Sequence, residues 1–480
     1  MGAIATAGSL SRPVAAREKL YARFEGCLEV NPDLDRRLVS FQANRGLPFY
    51  RWLKYKEGFS ARLVEYLIER VGPPRGLLLD PFAGTGTALF QAQVMGWNAL
   101  GIELLPLGVF AIEARLAAQS VKPATFRAAL EHIDGIRWED HFDEGCRFPH
   151  VPITQGAFPP ATERAIAGYR AYCSRLTHAD VRKLFDLAAL AVLEEVSYTR
   201  KDGQYLRWDH RASKRGVKSS FHKGRIGSFD KAVRQKLQEI LADLEGRHGE
   251  RSLFESAVRG TPPGTLDARK GSCLEILSQL PARHIDMVIT SPPYCNRYDY
   301  TRTYALELAY LGIDEVGIKD LRQAMLSCTV ENRAKRAELR EAYARRDQEK
   351  AAAQVEDVFA AQDALHEVIE ILRHLAREGL LNNANIPAMV QNYFYEMCFV
   401  LYEMGRVVRP GGKIVMVNDN VRYAGEEVPV DMILSDMAGR FGMSTDCIWV
   451  LARGKGNSSQ QMGNHGRREL RKCVYVWTKQ

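Results

Sequence analysis

Residues 286–294 read Asp-Met-Val-Ile-Thr-Ser-Pro-Pro-Tyr, a short apolar strand ending in a rigid, polar, aromatic tetrapeptide. Two prolines fix two φ angles and leave carbonyls with no competing N–H donors. Ser291, Pro292, Pro293 and Tyr294 thus offer a hydroxyl, peptide carbonyls and an aromatic face in a fixed arrangement. Such a site suits a planar ring carrying an exocyclic amino group, held by hydrogen bonds and stacking. Taken alone, the run reads better as a proline-broken strand end with a buried tyrosine. A second motif about two hundred residues upstream changes that.

Residues 76–90 form an apolar run, then the turn Asp80-Pro81-Phe82-Ala83-Gly84-Thr85-Gly86-Thr87, then a helical pattern through Leu89, Gln93 and Val94. Strand, tight glycine turn and helix make the nucleotide-binding half of a doubly wound sheet. Gly84 and Gly86 open backbone conformations closed to other residues and let a ligand approach the main chain. A dinucleotide fingerprint would need Gly or Ala at position 89, which is Leu89. Glu103 closes the next predicted strand, 98–103, where a carboxylate can accept hydrogen bonds from both hydroxyls of a ribose. The ligand expected is an adenosine compound without a diphosphate.

Together the glycine turn and Ser291-Pro292-Pro293-Tyr294 resemble the motifs of the DNA amino-methyltransferases. The resemblance implies S-adenosylmethionine as cofactor and the exocyclic nitrogen of cytosine or adenine as acceptor. It places Phe82 to Gly86, with Gly84, around the methionine part of the cofactor and Glu103 on the ribose, with Asp80 and Thr87 also at the cofactor. The segment 51–60, with Phe59 and Ser60, resembles the motif that covers the cofactor's amino-acid end. Ser272 stands where the family often carries an aspartate facing adenine. Serine at the head of the tetrapeptide favours cytosine N4, with adenine N6 as the alternative. The implied fold is a seven-stranded mixed α/β sheet of the Rossmann-like methyltransferase type, with an antiparallel terminal hairpin. The target base must flip out of the duplex, with Tyr294 as its expected stacking partner. A cognate restriction endonuclease is the partner implied besides double-stranded DNA.

Composition agrees with a globular protein: of 480 residues, 46% are hydrophobic and 26% charged. No run approaches the roughly 18 apolar residues that span a membrane, and no leader pattern opens the chain, so a cytoplasmic location is expected. Nine cysteines show no paired spacing, which reads as reduced thiols and no metal site. Cys295 follows the tetrapeptide directly and is read as a small neighbour rather than a nucleophile, which sets the chain apart from methylases of ring carbon.

The pattern divides the chain into an N-terminal segment with the cofactor-binding half (1–119), an insert (120–264), a catalytic part (265–312), a charged helical arm (313–388) and a C-terminal part (389–480). Strands are expected at 265–272, 286–291, 413–418, 445–452 and 473–479, besides those at 76–80 and 98–103. The strands 445–452 and 473–479 are joined by a basic loop with His465, Arg467, Arg468 and Arg471. In the insert, Arg200, Lys201, Arg207, Arg211, Lys214 and Arg215 alternate with Tyr198, Tyr205 and Trp208. A basic stretch with aromatics reads as a nucleic-acid surface rather than a solvated face, and the motif order assigns sequence reading to the insert. The arm, with alternating charges over 331–378, is expected to be exposed and salt-bridged. A DNA-binding subunit without catalysis is the competing class, and the intact motifs speak against it.

Overall fold

In a computed structural model, which describes residues 15–202, 205–212, 220–246, 263–452 and 470–480, the apolar runs pair into one central sheet. The strands are β1 (Leu28–Asn31), β2 (Leu77–Asp80), β3 (Asn98–Glu103), β4 (Thr199–Asp202), β5 (Tyr205–Trp208), β6 (Leu266–Lys270), β7 (Ile285–Thr290), β8 (Val408–Asp419), β9 (Val421–Tyr423), β10 (Glu426–Val428), β11 (Met443–Leu451) and β12 (Lys472–Lys479). Eight form the sheet in the order β1-β11-β12-β8-β7-β2-β3-β6. Only β12 runs against its neighbours, pairing antiparallel with β8 and β11. The other strands therefore end on the same side of the sheet, where open α/β sheets place their ligands.

Both faces of the sheet are covered, so the central strands are apolar throughout rather than alternating. Leu78 and Leu79 of β2 and Met287, Val288 and Ile289 of β7 are fully buried. One face packs on the helices Ala61–Val71 and Thr87–Val94, the other on Ile386–Val407 and Val430–Arg440. The insert builds its own core around Tyr169, Phe185 and Phe229, but shares it with Trp52 and Tyr304. Asp243 fastens it further, accepting from Trp52 Nε1 (2.8 Å), the Phe49 N–H (3.0 Å) and Arg51 Nε (3.2 Å).

Three expectations are corrected. The sheet has eight strands, not seven, because β1 adds to β11 at the edge. The strand expected at 413–418 begins five residues earlier, so that Pro410-Gly411-Gly412 lie inside β8, in a bulge between the pairs Ile285/Val408 and Met287/Lys413. The charged arm is no arm. Residues 331–378 fold into Arg336–Ala344, Glu349–Ala360 and Asp363–Arg377, which bury Leu339, Tyr343, Val355, Phe359, Leu365, Val368 and Leu372. Their charges line only the outer faces. Arg471 is likewise internal to the fold, donating to Asp431 at 2.8 Å, whereas His465, Arg467 and Arg468 lie outside the described residues. No helix among the described residues is long and apolar enough to cross a membrane.

Candidate active site

The site grows from the ends of β2, β3 and β7. Asp80, the last residue of β2, is buried and accepts from Thr290 Oγ1 at the end of β7 (2.7 Å) and from the Phe82 N–H (3.1 Å). One carboxylate thus ties the glycine loop to the strand that delivers Ser291. Gly84 (φ +55) and Gly86 (φ +78) both sit in the left-handed region, which costs other residues roughly 1–2 kcal/mol. A Cβ on Gly86 would lie 2.9 Å from Ile112, and one on Gly84 would meet the Tyr55 ring at 3.4 Å. Leu89 packs on Gly101 of β3, where a Cβ would fall 2.4 Å from Leu89 Cδ1. The small residue that a dinucleotide fold places on the helix is here on the strand.

Glu103 spans the loop. Oε2 accepts the Gly84 N–H and Oε1 the Leu105 N–H, both at 2.6 Å. Burial pushes the carboxyls of Asp80 and Glu103 up to about 7 each, against the hydrogen bonds that hold them down. Both line one cavity together with Phe59, Phe82, Gly84, Thr87, Ser272, Ser291 and Pro293. Nine of the thirteen residues expected at the cofactor and catalytic positions therefore converge.

The other four do not line it. Ser60 is buried as the N-cap of Ala61–Val71, accepting from the Leu63 N–H at 3.1 Å and donating to the Leu38 carbonyl at 2.6 Å. Its role is structural. Gly86 supports the turn from behind, packed toward Ile112 and Phe90. Pro292 and Tyr294 flank the cavity wall, with the Tyr294 hydroxyl 3.4 Å from Ser291 Oγ. Ser272 Oγ donates to the Ala324 carbonyl at 3.3 Å, so it is partly engaged. Cys295 is buried, does not line the cavity, and burial holds its thiol well above the usual range.

Sequence reading missed a cluster on the cavity's other wall. Glu57 lines it and accepts from the hydroxyls of Tyr298 and Tyr304, one on each oxygen. Tyr300 lines the cavity between them in sequence, and Tyr55 stacks on Tyr304 at 5.0 Å. Tyr298, Tyr300 and Tyr304 follow the tetrapeptide within ten residues, a spacing that was there to be read. The lining holds three carboxylates (Glu57, Asp80 and Glu103) and no lysine or arginine. Among the described residues no cluster of His, Cys, Asp and Glu could hold a metal.

A cavity of that charge favours a cationic ligand. A cation held against Asp80 and Glu103 stabilises their ionised forms, so binding releases protons below about pH 7. Affinity for a cationic ligand is expected to rise several-fold between pH 6 and 8, up to about tenfold per unit of pKa moved. Without ligand the sign reverses. The raised carboxyls contribute stability at acid pH that is lost as pH climbs through about 7. Calorimetry in buffers of differing ionisation enthalpy counts the protons released, and a flat profile would remove the two acids from the site.

The basic stretch of the insert is less free than its sequence suggests. β4 and β5 form a hairpin. Lys201 is buried, paired with Glu307 at 2.5 Å and lying over the Tyr304 ring at 4.3 Å, so it is not a nucleic-acid contact. Arg211 grips the buried Asp209 through Nε (2.8 Å) and Nη2 (2.9 Å). Arg207 pairs with Asp202 at 3.3 Å and, like Arg200, lies over Phe221, but both side chains remain on the surface. Lys214 and Arg215 lie outside the described residues.

The sequence is 44% identical, over 464 residues, to the type II methyltransferase M.AvaI of Nostoc sp. and to that of Anabaena variabilis, covering 96% of this chain and 92% of each relative. It is 39% identical over 486 residues to the type II methyltransferase M.BsoBI of Geobacillus stearothermophilus, again covering 92% of that relative. No family model matches the chain, and no solved structure matches it.

Proposed function

Because the chain belongs to the type II DNA methyltransferases, we propose that it methylates the exocyclic N4 of cytosine in duplex DNA, within a restriction–modification system. S-adenosylmethionine supplies the methyl group. The cavity fits it. Gly84 leaves a gap before Tyr55 that a side chain would fill, Glu103 stands at the end of β3 for a ribose, and the three carboxylates suit a cationic ligand.

The observation that carries the choice of reaction is Ser291. It projects from the end of β7 into the same cavity as the glycine loop, held in line with it through Asp80 and Thr290. An aromatic amino nitrogen is a poor nucleophile because its lone pair is delocalised into the ring. Ser291 Oγ and the Pro292 carbonyl accept hydrogen bonds from its two N–H groups and favour a pyramidal nitrogen with its lone pair free. As the N–CH3 bond forms and the S–CH3 bond breaks, one of these protons leaves to water. Alignment of that lone pair with the donor and fixed dipoles around it supply most of the rate. Tyr294 stacks on the flipped base. Arg200 and Arg207 on the hairpin contact the phosphates, joined by Lys214 and Arg215. The duplex lies across the strand ends, with the insert on one side of it.

Nucleoside mass spectrometry on DNA from a methylation-free host expressing the chain tests the reading. N4-methylcytosine is expected, at one mapped sequence. Methyladenine alone would overturn the choice of base and keep the enzyme class.

A further inference from the structure

The insert leaves part of the duplex unaccounted for, since Lys201 and Arg211 are spent on internal partners. A second polar surface adjoins the site. Ala324, Met325 and Leu326 form a wall of the cavity. The chain leaves that wall directly into a groove of about 900 Å³, lined by Arg333 and Arg336 on one side and Asn383, Asn385 and Asn392 on the other. The far wall is anchored to the catalytic loop. Arg297, three residues past Tyr294 and held at φ +65, donates to Asn382 Oδ1 at 2.8 Å. The groove thus starts where the reaction site ends.

Its chemistry is specific. The one carboxylate in its lining, Glu331, is paired with Arg302 at 3.1 Å, so the groove is net positive. Arg333 is exposed, and its guanidinium has no carboxylate partner among the described residues. Asn385 precedes the helix Ile386–Val407 without capping it by its side chain, and the Asn392 amide has no hydrogen-bond partner among the described residues. A solvated face would mix lysine and glutamate. Here uncommitted amides stand opposite uncommitted guanidinium. An amide donates and accepts at once and so matches the edge of adenine, while arginine matches guanine or phosphate.

We propose that this groove holds the duplex beside the flipped base, with Arg333 on a phosphate and Asn385 and Asn392 reading base edges. The proposal rests on the DNA-modifying reading above and divides target recognition between the insert and residues 330–395.

The test uses the full-length chain with S-adenosylhomocysteine, a duplex carrying the mapped site and a scrambled duplex, at several salt concentrations. Arg333→Ala is expected to weaken both duplexes alike and to flatten the slope of log affinity on log salt by about 0.9. Asn385→Ala with Asn392→Ala is expected to cut the preference for the mapped site by about tenfold or more. Cofactor affinity and thermal unfolding should match the parent in both variants, because Arg333 and Asn385 are exposed and the half-buried Asn392 amide has no partner to lose among the described residues. Unchanged slope and unchanged preference in both, with a parent that discriminates, would overturn the proposal and give the groove to a protein partner. A parent that methylates no DNA would instead overturn the functional reading itself.

Discussion

Ser291→Ala is expected to lower the rate of methyl transfer by about 10²–10³-fold, the cost of removing one preorganised polar contact from a reacting centre. The serine sits at a strand end whose position is fixed from below. Thr290 is bonded to Asp80, and the two prolines that follow leave little backbone freedom. The alanine variant therefore keeps its geometry and loses only the acceptor. Cofactor affinity should be near that of the parent, because Gly84, Glu103 and Tyr55 are untouched. Tyr294→Phe should cost far less than Tyr294→Ala. The hydroxyl contributes one long contact to Ser291, 3.4 Å, whereas the ring supplies the stacking face. Single-turnover transfer of a labelled methyl group, read beside cofactor titration calorimetry, separates these effects. Near-parental turnover in Ser291→Ala would reduce the tetrapeptide to a strand terminus.

Glu103→Ala is expected to weaken cofactor binding by about 10- to 150-fold, which corresponds to roughly 1.5–3 kcal/mol for hydrogen bonds to a charged group. The residue has two duties, and the structure lets them be told apart. Its carboxylate accepts from the N–H groups of both Gly84 and Leu105, so its loss also loosens the loop. Glu103→Gln keeps an acceptor for one of these and should recover part of the loop's order but not the charge. A lower unfolding temperature in the alanine variant and a parental one in glutamine, with weak binding in both, would assign the affinity to the carboxylate. Gly84→Val should give a comparable loss by another route, since valine at φ +55 is strained and points at Tyr55. Unchanged affinity in Glu103→Ala would take the residue out of the site.

The cofactor half of the fold was legible because its signals are local. Apolar run, glycine turn and helix lie within about twenty residues, and Glu103 ends the next strand. The antiparallel pair β11–β12 followed from the resemblance. What escaped was set by distant partners. β1 is four residues with an exposed Val30, and becomes a strand only because Ile448–Leu451 lie beside it. Lys201 looks like one more surface cation until Glu307, 106 residues away, closes over it. The alternating charges of 331–378 suggest an exposed arm, whereas Leu365, Val368, Ile369 and Leu372 recur at helical spacing and mark a buried face. Ser60 is an instructive miss. A serine just before an apolar helical run is an N-cap signal, and Ser60 fills that role at Ala61–Val71.

The edge pairing of β1 also orders events in time. Its contacts on β11 are 420 residues away in sequence, as in the bond from Trp449 to Glu29. At roughly 5–20 residues per second on the ribosome, β1 waits on the order of 20–80 s for the strand that covers it. During that interval β2 and β3 can pair, but β7, which brings Ser291 beside them, arrives only after the insert has been made. Across proteins, non-local strand pairing of this kind goes with slow folding. A newly made chain thus gains its cofactor loop early and its complete catalytic centre late, and a chain ending short of residue 443 leaves β1 without its neighbour.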